Sequence, residues 1–171
     1  MCARATRLLL LALLGAAVVL VVTDRLLTGA QSLTPPDERV FGTWHLNVAK
    51  SKFIPGPPYR TQTRIYERHD QGVRATIKTT YSDGHSTDVE YTAEYDSLEY
   101  PVTGSPEYDS IKLKKVDNFT SEAVLGHAGR VFATARRIIS EDGKTMTITY
   151  QTVPSTGSQI NNVMVYDKQQ P

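Results

Sequence analysis

The strongest constraint on the fold is an alternation of apolar and polar side chains with a period of two residues. Because successive side chains of a β-strand point to opposite faces, this alternation is typical of a sheet that buries one face. Three segments show the pattern clearly, and their predicted inward positions are Val73, Ala75, Ile77, Thr79; Val89, Tyr91, Ala93, Tyr95; and Met146, Ile148, Tyr150. A fourth segment, residues 160–167, has apolar residues on both faces, so the pattern does not determine which of its faces points inward.

Turn-forming residues separate these segments. Asp83-Gly84 and Asp142-Gly143 are strong hairpin signals. Regular hairpin spacing without long crossovers indicates consecutive antiparallel strands, and closure of the sheet would remove its exposed edges. We therefore predict an all-β domain over residues 40–171, an antiparallel up-and-down β-barrel of about 8–10 strands. The predicted strands are 41–49, 60–68, 72–81, 86–95, 109–116, 119–126, 130–139, 144–153 and 159–168.

The N-terminal segment, residues 1–30, has the composition of a targeting sequence. Two arginines precede residues 8–22, a run without a polar side chain, and small residues follow up to Ala30. This order is typical of a secretory signal peptide cleaved after Ala30. The alternative is an uncleaved signal anchor whose hydrophobic helix crosses the membrane through residues 8–27. Both interpretations place the domain outside the cytoplasm, with residues 31–39 as a linker.

Composition excludes several classes of function. The chain carries 19 basic and 18 acidic residues, so its charge gives no reason to expect nucleic acid as a partner. Cys2 is the only cysteine, so the predicted barrel has no disulfide and no cysteine nucleophile. The four histidines are scattered, and no catalytic motif such as Gly-x-Ser-x-Gly occurs. We expect no enzymatic activity, no catalytic residue, no metal ligand and no cofactor.

Two groups of short motifs lie at the beginning and at the end of the predicted barrel domain in the sequence. Residues 41–46 read Phe-Gly-Thr-Trp-His-Leu, and residues 136–144 and 165–168 supply an Arg-Arg-Ile-Ile run, an Asp-Gly turn and a final Val-Tyr-Asp-Lys. These motifs resemble the first and last strands of the calycin superfamily, the lipocalins and fatty-acid-binding proteins. The resemblance implies a lipocalin-like barrel in which Trp44 plugs one end and Gly42 permits close approach.

Longer motifs are distributed over the whole domain, at residues 42–47, 50–58, 100–104 and 161–167. Together they resemble a group of uncharacterised exported bacterial proteins that share a Gly-Thr-Trp-x-Leu-Asn start. This resemblance implies a fold and a compartment, the periplasm or the extracellular space, and implies no activity.

One position departs from the fatty-acid-binding pattern. In that family an Arg-x-Tyr pair in the last strand holds the ligand carboxylate, whereas the matching residues here are Met164 and Tyr166. Arg136 or Arg137 could supply the missing cation. The alternative is that both arginines are solvated charges at a strand end.

The inward tyrosines are the main candidates for ligand contact. On one barrel face they offer ring area for stacking together with hydroxyl groups that need partners when they are buried. The alternative is that they fill a tight barrel without leaving room for a ligand. The predicted ligand-binding residues are Tyr81, Tyr91, Tyr95, Met146, Tyr150, Met164, Tyr166 and Arg136, with Gly42 and Trp44 as the structural plug.

These observations favour an exported binding protein that holds a small apolar or aromatic ligand inside the barrel. The alternative is a non-enzymatic structural or interaction module of the cell envelope with a filled barrel. A binding protein should contain a continuous internal cavity of about a few hundred Å³. The expected partner is a small apolar molecule, without nucleic acid, and with membrane contact only through residues 8–27 if they are not cleaved.

Overall fold

The computed structural model describes residues 35–153 and 159–170. The predicted signal segment, residues 1–30, lies outside the described residues. No helix in the described part is long and apolar enough to cross a membrane. The described part contains ten strands, β1 Gly42–Leu46, β2 Thr61–His69, β3 Gly72–Thr80, β4 Ser86–Ala93, β5 Tyr100–Thr103, β6 Ser110–Lys115, β7 Thr120–His127, β8 Arg130–Ile139, β9 Thr145–Thr152 and β10 Asn161–Lys168.

The strands form one closed antiparallel barrel. Each strand pairs with the next along the chain, and β1 pairs with β10 to complete the ring. The closing ladder places Trp44 opposite Lys168 and Leu46 opposite Tyr166. The prediction of an all-β, up-and-down barrel is confirmed. The observed number of strands, ten, is the upper limit of the predicted 8–10.

Strand β5 is the element that the sequence pattern missed. It has four residues and includes Pro101, which lacks an amide donor and is unfavourable within a sheet. Its register contains two residue pairs with β4 and two with β6. A strand this short cannot display a period-two pattern, so the sequence predicted nine segments where the barrel has ten strands.

The inward faces of the long strands are those that the alternation predicted. Val73, Ala75, Ile77 and Thr79 of β3 are buried, as are the predicted positions of β4. The open question of β10 is resolved because Asn162, Met164 and Tyr166 are buried, whereas Val163 is exposed. The barrel core is therefore built largely from alternate residues of strands β3, β4, β6, β9 and β10.

The barrel end at which β1 begins is closed by Trp44 and by the segment that precedes β1. Trp44 is fully buried, and its indole Nε1 donates a hydrogen bond of 2.9 Å to the carbonyl oxygen of Val40. Val40 belongs to a short 3₁₀ turn, Glu38–Val40, and is itself buried. Lys168 Nζ lies 5.0 Å from the centre of the indole ring. Gly42 has a φ of 121°, a conformation that other residues rarely adopt.

The described part of the predicted linker packs on the barrel. Lys115 Nζ donates a hydrogen bond of 2.9 Å to the carbonyl oxygen of Pro35. The Arg39 guanidinium lies 4.3 Å from the ring centre of Phe119, and its side chain forms an ion pair with Asp37. This pair lowers the pKa of Asp37 to about 2. Residues 35–41 therefore hold a defined conformation across the closed end.

Replacing Trp44 with alanine removes the largest fully buried side chain at the closed end. We expect a loss of about 3 kcal/mol or more in the free energy of unfolding, the range for truncating a buried aromatic residue. Urea unfolding of the full chain measures this change, with Val131→Ala, an exposed position on β8, as the control. An unchanged unfolding midpoint for Trp44→Ala would contradict its structural role.

Candidate functional site

Two adjoining cavities lie in the barrel interior, within the part of the chain that the structure describes. The inner cavity has a volume of about 70 Å³ and the outer cavity about 50 Å³. Arg64, Ile77, Tyr108 and Tyr150 line both of them. Both cavities are smaller than the continuous cavity of about a few hundred Å³ that a binding protein was predicted to contain, so side chains fill more of the interior than predicted.

Arg64, on β2, lies at the junction of the two cavities. Its Nε donates hydrogen bonds of 3.0 Å to Gln62 Oε1 and 3.0 Å to Tyr166 Oη, and its Nη1 donates one of 3.3 Å to Tyr66 Oη. Burial disfavours the charge of Arg64, but the phenol oxygens of Tyr166 and Tyr66 outweigh this effect and keep its pKa well above the ordinary value. The guanidinium therefore stays charged inside the barrel.

A second guanidinium, that of Arg137 on β8, lines the inner cavity from another wall. Its Nη2 donates a hydrogen bond of 2.6 Å to Tyr95 Oη. The guanidinium carbon lies 5.1 Å from the ring centre of Tyr66 and 5.8 Å from that of Tyr95, within the range of cation–π contacts. Burial lowers the pKa of Arg137, but the neighbouring tyrosine oxygens outweigh burial and raise it.

Tyr66 connects the two guanidiniums. Burial alone would raise its pKa, but Arg64 and Arg137 outweigh burial and lower that pKa below the ordinary tyrosine value. By contrast, burial raises the pKa of Tyr91 and that of Tyr166. Tyr66 therefore contacts both interior cations, through its hydroxyl to Arg64 and through its ring to Arg137.

Neither guanidinium has a carboxylate partner. Among residues 35–153 and 159–170, eight ion pairs are present, and none includes Arg64 or Arg137. All their protein hydrogen bonds in the interior go to uncharged oxygens, those of Gln62 and the tyrosines. The two guanidiniums are therefore held without a direct counter-charge within the described residues, an arrangement that costs free energy when a charge is withdrawn from water.

Most of the predicted ligand-binding residues face the interior. Tyr91, Tyr95, Met146, Met164 and Tyr166 are buried in the core. Tyr150 lines both cavities, and its hydroxyl is enclosed without a hydrogen-bond partner within the described chain. Tyr81 lines the outer cavity, where its ring stacks on His85 with the centres 4.1 Å apart.

Arg136 is the predicted site residue that does not reach the interior. Its side chain is 47% exposed and forms an ion pair of 2.6 Å with Glu122 on β7. Because consecutive strand residues point to opposite faces, Arg136 faces outward and Arg137 faces inward. Of the two arginines left open by the sequence, the second is therefore the interior cation.

Three inward-facing residues of β2 were not predicted from the sequence: Gln62, Arg64 and Tyr66. The inward face of this strand is polar, whereas Ile65 lies on its other face. The alternation of apolar residues therefore gave no signal for the inward face of β2. Arg64 lies opposite Trp44 in the ladder between β1 and β2, and this pairing is the signal that could have placed Arg64 on the buried face.

The outer cavity lies at the end of the barrel opposite Trp44 and is lined by residues from three loops. Tyr59, Tyr81 and Glu107 come from the connections after β1, β3 and β5. The rings of Tyr59 and Tyr81 meet edge to face at 5.3 Å, and Phe53 meets Tyr59 at 5.2 Å. Burial raises the pKa of Glu107.

Comparisons with known proteins add no family to this geometry. No protein-family model matches the chain, and no curated protein matches it with significance. No cluster of three or more potential metal-ligating side chains occurs among the described residues. The closed ten-strand up-and-down barrel is consistent with a calycin-like fold.

Replacing Arg137 with glutamine removes one of the two cations that stabilise the phenolate of Tyr66. We expect the pKa of Tyr66 to rise, because the negative form loses a favourable neighbour. Carbon NMR of ζ-labelled tyrosine across an alkaline titration measures this value for each tyrosine. Arg136→Gln removes the same charge from the outer surface and should leave Tyr66 unchanged; equal shifts in the two variants would contradict the interior placement of Arg137.

Proposed function

We propose that the chain is an exported, non-enzymatic binding protein whose barrel holds a small ligand with an anionic group. The observation that supports this proposal is the pair of partly buried guanidiniums, Arg64 and Arg137, that line the inner cavity and have no ion-pair partner within the described residues. A negatively charged ligand would supply the missing counter-charge. The apolar and aromatic walls would surround the rest of the molecule.

A carboxylate is the anionic group that fits this arrangement best. A guanidinium presents parallel donors that match the two oxygens of a carboxylate. Arg64 uses its Nε and Nη1 atoms for protein contacts, and Arg137 uses its Nη2 atom, so each retains further N–H groups for a ligand. The enclosed Tyr150 hydroxyl, which lines the same inner cavity, could donate to the same group.

The cavity volume restricts the size of this ligand. A buried water molecule needs about 10–15 Å³ of cavity volume. The inner cavity, of about 70 Å³, therefore has room for a few water molecules. A benzoate-sized acid or a short aliphatic acid matches this space together with the outer cavity. A long-chain fatty acid would require the barrel to expand.

Export is proposed from the sequence alone. The basic start, the apolar run of residues 8–22 and the small residues up to Ala30 support it. In this compartment the protein would collect a small acid outside the cytoplasm, either free or attached to the membrane through residues 8–27.

A second candidate is the interaction module with a filled barrel. The small size of the two cavities favours it, because much of the interior is occupied by tyrosine side chains. In that case the interior arginines would be held by tyrosine and glutamine oxygens alone, and the barrel would bind no acid.

The two candidates are separated by a matched pair of probes. Para-fluorobenzoate and the uncharged para-fluorobenzamide have nearly the same shape, and fluorine NMR reports their binding to the full chain. We expect the acid to bind and the amide to bind at least about tenfold more weakly, a difference of about 1.4 kcal/mol.

The neighbouring arginines of β8 provide the control for this experiment. Arg137→Gln should weaken binding of the acid about tenfold or more, because an interior counter-charge is lost. Arg136→Gln removes an exposed charge that is paired with Glu122 and should leave the affinity unchanged. Equal affinities for acid and amide, or no binding of either, would favour the filled barrel.

A further inference from the structure

The outer cavity combines one carboxylate with several aromatic side chains. Glu107 stands on the loop between β5 and β6 and lines this cavity with Tyr59, Tyr81, Tyr108 and Tyr150. Glu107 is exposed at the mouth of this cavity, so its carboxylate is accessible from solvent. Within residues 35–153 and 159–170, Glu107 takes part in no ion pair.

Aromatic rings and a neighbouring carboxylate are the side-chain groups that recognise an organic cation. The face of a tyrosine ring attracts an ammonium group through its quadrupole, and a nearby carboxylate adds direct attraction. The edge-to-face contacts of Phe53, Tyr59 and Tyr81 hold these rings at the mouth of the barrel. Glu107 has no ion-pair partner within the described residues, so its carboxylate is available to an ammonium group that enters the cavity.

Arg64 lines the same outer cavity as Glu107, but the two side chains do not form an ion pair. Arg64 would repel a ligand that carries only a positive charge, and Glu107 would repel one that carries only a negative charge. A molecule with both charges satisfies both side chains when its carboxylate points inward and its ammonium group points to the mouth.

We propose that the outer cavity is an ammonium subsite formed by Glu107 and the surrounding tyrosines, and that the ligand is a small zwitterion with an apolar chain between its two charges. This inference rests on the proposed function, since the carboxylate end is assigned to Arg64 and Arg137. It narrows the ligand from small acids in general to amino acids whose ammonium group is distant from the carboxylate.

Matched pairs of straight-chain acids test this inference by isothermal titration calorimetry on the full chain. The pairs are butyrate with γ-aminobutyrate, valerate with δ-aminovalerate, and caproate with ε-aminocaproate. In at least one pair we expect the amino acid to bind about tenfold more tightly than the plain acid, because only the amino acid contacts Glu107. Glu107→Gln should remove this advantage and raise the affinity for the plain acid, because it removes a carboxylate that repels the acid.

Glu67→Gln is the matched control, because it removes the same charge from an exposed position of β2. It should preserve the preference for the amino acid. Plain acids that bind as tightly as their amino partners in wild-type protein would overturn this inference and leave the proposed function intact. Absence of binding for every acid, with or without the amine, would overturn both. Equal effects of Glu107→Gln and Glu67→Gln would also overturn the subsite.

Discussion

The structure depends on the ladder between β1 and β10, which turns a ten-strand meander into an enclosed space. Once this ladder forms, every strand has two neighbours, and alternate side chains of each strand have no route to bulk solvent except through the barrel ends. Trp44, opposite Lys168 in this ladder, occupies one of these ends. A charge on an inward position must therefore find its partner inside the barrel or in a ligand.

Arg64 and Arg137 are such charges, and the chain surrounds them with tyrosine rather than with carboxylate. Tyrosine hydroxyls and rings reduce the cost of enclosing a guanidinium but do not neutralise it. Tyr166 is also fixed by a hydrogen bond that its hydroxyl donates to Gln62, whose amide donates in turn to Thr79 at 2.7 Å. The tyrosine network is thus held by its own contacts, which leaves guanidinium N–H groups available to a ligand.

The sequence predicted the parts of this arrangement that rest on apolar alternation. Strands β3, β4 and β9 show one apolar face each, and their inward positions were found without the structure. Arg64 was missed because the inward face of β2 is polar, and β5 was missed because four residues are too few for a periodic signal. Arg136 and Arg137 are consecutive residues of β8, so their side chains point to opposite faces of the strand. The orientation of β8 in the barrel, and not the residue type, therefore decides which arginine points inward. The subsite at Glu107 depends on three loops that meet only in the closed barrel.

We propose that Arg64 and Arg137 are retained for binding and not for stability. The most direct test is the free energy of unfolding of the ligand-free full chain with Arg64→Met, measured by urea denaturation. Methionine fills a similar space without a charge, and Tyr166 keeps its hydrogen bond to Gln62. We expect a stability equal to or above that of the wild type, because the apolar side chain removes the cost of a partly buried charge that has no counter-charge within the described residues. A loss of about 3 kcal/mol or more would contradict it and would identify Arg64 as a structural element of the core.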